Sequence, residues 1–129
     1  MKALVIDSCN DSLFVGLLHD STWLSQKTFG TRKDADKNIN RLVNEVLGDL
    51  SFSDINAYAV VTGPGGSWTG TRVGVVATLA YATAVPKPII ELKTVDIKTI
   101  NNKYKSKDFT SPENLKPIYC SDFVVNAKR

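Results

Sequence analysis

A chain of 129 residues, 43% hydrophobic and 22% charged, holds one ordinary globular domain and is too short for two. No run of 18 apolar residues occurs, which excludes a helical membrane span, and a carboxylate at position 7 interrupts the opening apolar run too early for a signal peptide. The chain therefore reads as cytoplasmic, and Cys9 and Cys120, far apart, as two reduced thiols. Its net charge of +3 is lopsided: residues 1–86 carry seven Lys/Arg against eight Asp/Glu, and residues 87–129 nine against five. That excess reads as a solvated surface, with a weak footprint for RNA as the other reading.

Residues 2–7 predict a first strand and residues 12–19 a second, with Leu13, Val15 and Leu17 on one face. Asp20-Ser21 is a hairpin turn, and residues 22–29 are the third strand. Ile39, Leu42, Val43, Val46, Leu47 and Leu50 recur at steps of three and four, which predicts a helix over 36–50 with Asp34 and Asp36 at its positive end. The unbroken apolar run at 57–61 suits a buried central strand. After a glycine-rich loop at 63–70 comes a helix over 71–84, ended by Pro86 and Pro88, then a strand at 88–92. Thr94 is the expected cap of a last helix carrying Val95, Ile97 and Ile100. Polar residues 103–117, with two prolines, read as a linker, and residues 118–129 as a tail apolar enough to dock back on the domain. A meander followed by αβ units predicts an α/β fold over 1–102: a mixed sheet of about five strands with helices on its faces.

Strand, glycine loop, helix is a layout that offers backbone amides to an anion. Gly63, Gly65 and Gly66 permit close approach, Ser67 and Thr69 add hydroxyls, and Arg72 adds charge. The loop lacks the lysine of a Walker A motif and the spacing of a dinucleotide fingerprint, so anion site and tight packing turn both stay open. Asp7 and Ser8, at the end of the first strand, complete the anion-loop candidates, with capping of the 8–11 corner as the structural role for Asp7. His19 is the only histidine, no His/Cys/Asp set has metal-ligand spacing, and no serine stands in a nucleophile elbow. Neither a catalytic residue nor a metal or cofactor is expected.

The helix over 71–84 is apolar all round, so it must be covered on two sides, and the sheet can cover only one. Val73, Val76, Ala77, Ala80 and Ala84 form one stripe, with Val75, Leu79 and Ala82 opposite. The expected partner surface combines Ile39, Leu42, Val43 and Val46 with Val73, Gly74, Ala77, Thr78 and Tyr81, Gly74 and Thr78 admitting another helix at close range. Cover by the last helix and the tail is the alternative.

The run Gly63-Pro64-Gly65-Gly66-Ser67-Trp68-Thr69-Gly70-Thr71-Arg72-Val73-Gly74 resembles the signature of the TsaB (YeaZ) family, roughly GPGSFTGxRxG. The opening Ala3-Leu4-Val5-Ile6-Asp7-Ser8, the Asp54-Ile55-Asn56-Ala57 entry to a strand and the ending Lys116-Pro117-Ile118-Tyr119 are similar to family positions too. The loop has one glycine more than the usual pattern, Trp68 stands for Phe or Tyr, and a histidine usual near 33–36 is missing. The resemblance implies one lobe of an actin-like ATPase (ASKHA, ribonuclease H-like) fold, with the 103–117 linker standing where a second lobe would be. It implies a non-catalytic scaffold in making threonylcarbamoyladenosine (t6A) in tRNAs that read ANN codons. The implied partners are a TsaD-type catalytic subunit, a TsaE-type ATPase and a second copy of the chain, with tRNA met through the complex. A small phosphate- or nucleotide-binding enzyme fragment using Asp7 and the 63–72 loop is the alternative.

Overall fold

The computed structural model describes residues 1–9, 12–30, 35–64 and 68–116. Five strands form one mixed sheet in the order β3-β2-β1-β4-β5: β1 (Lys2–Asp7), β2 (Leu13–His19), β3 (Thr22–Phe29), β4 (Ala57–Val61) and β5 (Ile89–Leu92). β1–β2 and β2–β3 pair antiparallel, while β1–β4 and β4–β5 pair parallel. Asp20, at φ 54°, makes the two-residue β2–β3 turn that the sequence predicts. β1 and β4 carry continuous apolar runs because both their faces are covered, and all five residues of β4 are buried.

Two helices, α1 (Ala35–Leu47) and α2 (Trp68–Ala84), lie on one face of the sheet, where Leu4, Ile6, Val15, Tyr58 and Val60 meet Ile39, Leu42, Val43, Val46, Val75 and Ala82. The opposite face, with Ala3, Val5, Ala59 and Ile90, packs against Ile100 of α3 (Ile97–Ser106). The fold is therefore a single α/β lobe, as expected.

Boundaries differ in three places. α1 stops at Leu47 rather than 50, since Gly48 takes φ 59° and its amide bonds the Asn44 carbonyl at 3.1 Å. α2 begins at Trp68, three residues earlier than predicted. The cap of α3 is Asp96 and not Thr94: its carboxylate accepts from the Lys98 amide at 3.2 Å and the Thr99 hydroxyl at 2.7 Å. A carboxylate caps a helix better than a threonine hydroxyl, and Val95 is left outside the helix to pack on the sheet.

The segment expected to be a polar linker from 103 onward starts inside α3 and then packs closely. Phe109 joins the α3 face, the Thr110 amide bonds the Ile89 carbonyl at 2.8 Å, and Leu115 is buried on the α1–α2 face. This stretch wraps the outer edge of β5 and occupies ladder groups an edge strand would otherwise expose. Its apolar residues, spaced six apart, carry no periodicity from which a packed segment is read. The tail expected over 118–129 lies outside the described residues.

Candidate functional site

At the carboxyl end of β1, Asp7 and Ser8 are buried, and both serve the backbone. A carboxylate oxygen of Asp7 accepts the Cys9 amide at 2.9 Å, the corner-capping role open to it from the sequence. The Ser8 hydroxyl accepts the Gly74 amide at 2.8 Å and ties β1 to α2. A Cβ on Gly74 would lie 2.8 Å from Ser8 Oγ and 3.3 Å from Ile6 Cγ2. Gly74 thus allows α2 to approach this chain's own sheet, and not a helix of another subunit as the sequence suggested. Gly63 takes φ 102°, in the region that favours glycine, and its peptide with Pro64 is cis. Gly65, Gly66 and Ser67 lie outside the described residues, and Thr69 falls in the first turn of α2. Arg72 is exposed, on the α1 side of α2 rather than among the β1 groups.

A different feature takes up the exposed part of α2. Between α1 and α2 runs an open groove of about 410 Å³, lined by Asp36, Ile39, Asn40, Arg72, Val73, Val76, Ala77, Ala80 and Tyr81. Helical spacing puts Val73, Val76, Ala77 and Ala80 on one stripe, and Val76 is 58% exposed, one of two large exposed apolar side chains among the described residues. Tyr81 closes one end: its hydroxyl donates to Asn40 Oδ1 across the two helices, and its ring stacks on Phe52 at 4.8 Å. Burial pushes its hydroxyl pKa up to about 12. Asp36 and Arg72 are the charged lining residues.

Of the nine expected interface residues, Ile39, Val73, Ala77 and Tyr81 line this groove. Leu42, Val43, Val46, Gly74 and Thr78 do not, being buried against the sheet. Leu42, Val43 and Val46 lie on the single apolar face of α1, which the sheet takes, whereas α2, apolar all round, gives no sign that the sheet takes the side of Gly74 and Thr78; these five belong to the chain's own core. Asn40 was missed altogether, because an asparagine on a polar helix face carries no signal of a cross-helix bond. Among the described residues no three His, Cys, Asp or Glu side chains converge as metal ligands, and no helix is long and apolar enough to cross a membrane.

A five-stranded mixed sheet with α1 and α2 on one face and α3 on the other is also the architecture of solved relatives. A structure described as YeaZ from Pseudomonas aeruginosa superposes with a TM-score of 0.65 at 22% identity, covering 84% of this chain and 52% of that one. Another, of an uncharacterized protein with similarity to peptidase YEAZ from Pseudomonas aeruginosa, gives 0.66 at 21%, covering 83% and 49%. The fold is thus that of the actin-like, ribonuclease H-like lobe. The family model for TsaD, tRNA N6-adenosine threonylcarbamoyltransferase, matches residues 30–119, and the chain belongs to that family. Its curated relatives are proteins named tRNA threonylcarbamoyladenosine biosynthesis protein TsaB: 26% identical over 106 residues in Bacillus subtilis (81% of this chain, 46% of the relative) and 31% over 97 residues in Escherichia coli (74% and 41%). Within the family it is a TsaB (YeaZ) member, and it spans a little under half the length of those relatives.

Proposed function

We propose that the chain is a non-catalytic scaffold in t6A biosynthesis and that it pairs with a TsaD-type subunit through the α1–α2 groove. The observation that carries this reading is the apolar stripe of Val73, Val76, Ala77 and Ala80 along the groove beside Ile39, half-buried at Val73 and open to solvent at Val76 and Ala80. Contiguous exposed apolar surface with a polar rim marks an interaction site, and the small side chains let a partner helix sit close. The TsaB relatives, named for tRNA threonylcarbamoyladenosine biosynthesis, supply the pathway. A TsaE-type ATPase is a further partner in this reading, the same groove serves a homodimer when the catalytic subunit is absent, and tRNA meets the chain in the cytoplasm through the assembled complex. In this reading the part shared with the longer relatives is their first lobe.

The phosphate-binding alternative has less behind it. It needs Asp7 and Ser8 turned toward a ligand, while Asp7 accepts the backbone amide of Cys9 and Ser8 that of Gly74.

Light scattering after size exclusion, on the chain alone and mixed with the TsaD-type protein of its own organism, tests the scaffold. A heterodimer is expected, and Val76→Glu or Ala80→Glu should weaken it at least tenfold without changing the melting temperature, because both side chains are exposed. A wild-type chain that stays monomeric in both runs removes the main support.

A further inference from the structure

Two cations on the α1 side are matched: Arg41 donates to Glu45 at 3.3 Å and Asn38 at 2.9 Å and lies over the Phe29 ring, and Lys27 stands 3.7 Å from Glu45. α3 is different. From Ile97 to its C-cap Lys107 it carries Lys98, Lys103, Lys105 and Lys107 and no carboxylate. None of these ammonium groups is in an ion pair among the described residues. Lys103 is half-buried and donates to the Glu91 carbonyl at 2.9 Å, whereas Lys98, Lys105 and Lys107 are exposed.

Lys98, Asn102 and Lys105 follow at i, i+4 and i+7, so they form one exposed row roughly 10 Å long. Beside it a shallow cleft of about 600 Å³ runs to the β2–β3 turn, lined by Ser21, Asn101 and Asn102 as well as the two lysines. Two carboxylates border the cleft: Asp20 is paired with the Met1 ammonium at 2.8 Å, while Asp96 caps α3 and keeps its charge near Lys98.

We infer that this face of α3 binds the phosphate backbone of a structured RNA. Unpaired lysines interleaved with asparagines suit phosphate oxygens and ribose hydroxyls. The row itself has no aromatic or aliphatic anchor, and Ile97, the one apolar residue lining the cleft, is half-buried against the core, so the apolar centre that a protein interface or a membrane-surface helix requires is lacking. Choosing RNA among polyanions rests on the t6A reading above. α3 packs on the sheet face opposite α1 and α2, so this contact leaves the partner groove open, and the chain touches tRNA directly instead of only through the complex.

Fluorescence anisotropy with an unmodified tRNA transcript, titrated in salt on the full chain, tests this. Wild type should bind with a steep dependence on salt. Lys98→Gln/Lys105→Gln should flatten the slope of log K against log salt by about 1.5 and weaken binding roughly tenfold at low salt. Lys27→Gln, on the opposite face, should leave the slope unchanged. An unchanged slope in the double variant, no binding by wild type at low salt, or equal affinity for polyglutamate each overturns the inference. Heterodimer formation without tRNA binding would refute it and leave the scaffold standing. Lysine-dependent tRNA binding without a heterodimer would do the reverse.

Discussion

Thr62 and Thr78 are both wholly buried, and their hydroxyls are placed in opposite circumstances. Thr62 Oγ1 donates to the Glu91 carboxylate at 2.9 Å, and the other carboxylate oxygen takes the Thr110 hydroxyl at 3.2 Å. Thr78 Oγ1, between α2 and the sheet, has no hydrogen-bond partner among the described residues. An unmet buried hydroxyl loses its water and gains nothing in return, whereas a bond to a charged acceptor is among the stronger ones. Thr→Val keeps the shape and removes only the oxygen, so the sign should differ between the sites. Thr78→Val is expected to stabilise by about 1 kcal/mol and Thr62→Val to destabilise by about 1.5 kcal/mol. Thermal melts should show the two midpoints moving apart from wild type, by roughly 3–5 °C each. A drop in the midpoint of Thr78→Val would mean that its hydroxyl does find an acceptor.

The elements themselves show what a sequence reveals and where it stops. Strands and helices with a strong period were legible: the apolar run of β4, and the steps of three and four from Ile39 to Leu47. α2 was legible as a helix but not in orientation, since apolar residues surround it and only packing decides that Gly74 faces Ser8 while Val76 faces outward. The start of α3 turned on a choice between two capping residues two positions apart. That choice can be tested. The Asp96 carboxyl is held below its ordinary value of 3.8, chiefly by the Thr99 hydroxyl and also by backbone amides. A carboxylate with a depressed folded value stabilises above its unfolded value and loses that contribution as pH falls through the folded one. The Lys98 and Thr99 amides should therefore lose protection, relative to their intrinsic exchange rates, below pH 3.8 in wild type. At neutral pH they should do so in Asp96→Ala but much less in Asp96→Asn, which still accepts those bonds without titrating. Equal protection in all three at neutral pH would show that packing of Ile100 alone holds the first turn.

For the molecule as a whole, one aromatic set joins the layer that bears the groove to the sheet beneath it. Tyr58 of β4 donates to the Val85 carbonyl at 2.8 Å, just past the end of α2. Phe52 lies 6.3 Å from the Tyr58 ring and stacks on Tyr81, which reaches Asn40 of α1. Burial raises both hydroxyls, Tyr58 above its ordinary 10 and Tyr81 to about 12. A raised folded value means that the stability is whole below the unfolded value near 10 and drains away as pH rises through the folded one. Denaturant midpoints should hence be level up to about pH 10 and fall between there and about 12. Tyr81→Phe loses the bond to Asn40, so its midpoint at pH 8 should be lower, yet its decline with alkali should be shallower than wild type. A decline of unchanged steepness would assign the alkaline loss to other tyrosines. Since Tyr81 also walls the groove, a bound partner should bury it further, and tyrosinate absorbance in the complex should appear at higher pH than in the chain alone. An unmoved absorbance titration in an intact heterodimer would put the partner somewhere other than between α1 and α2.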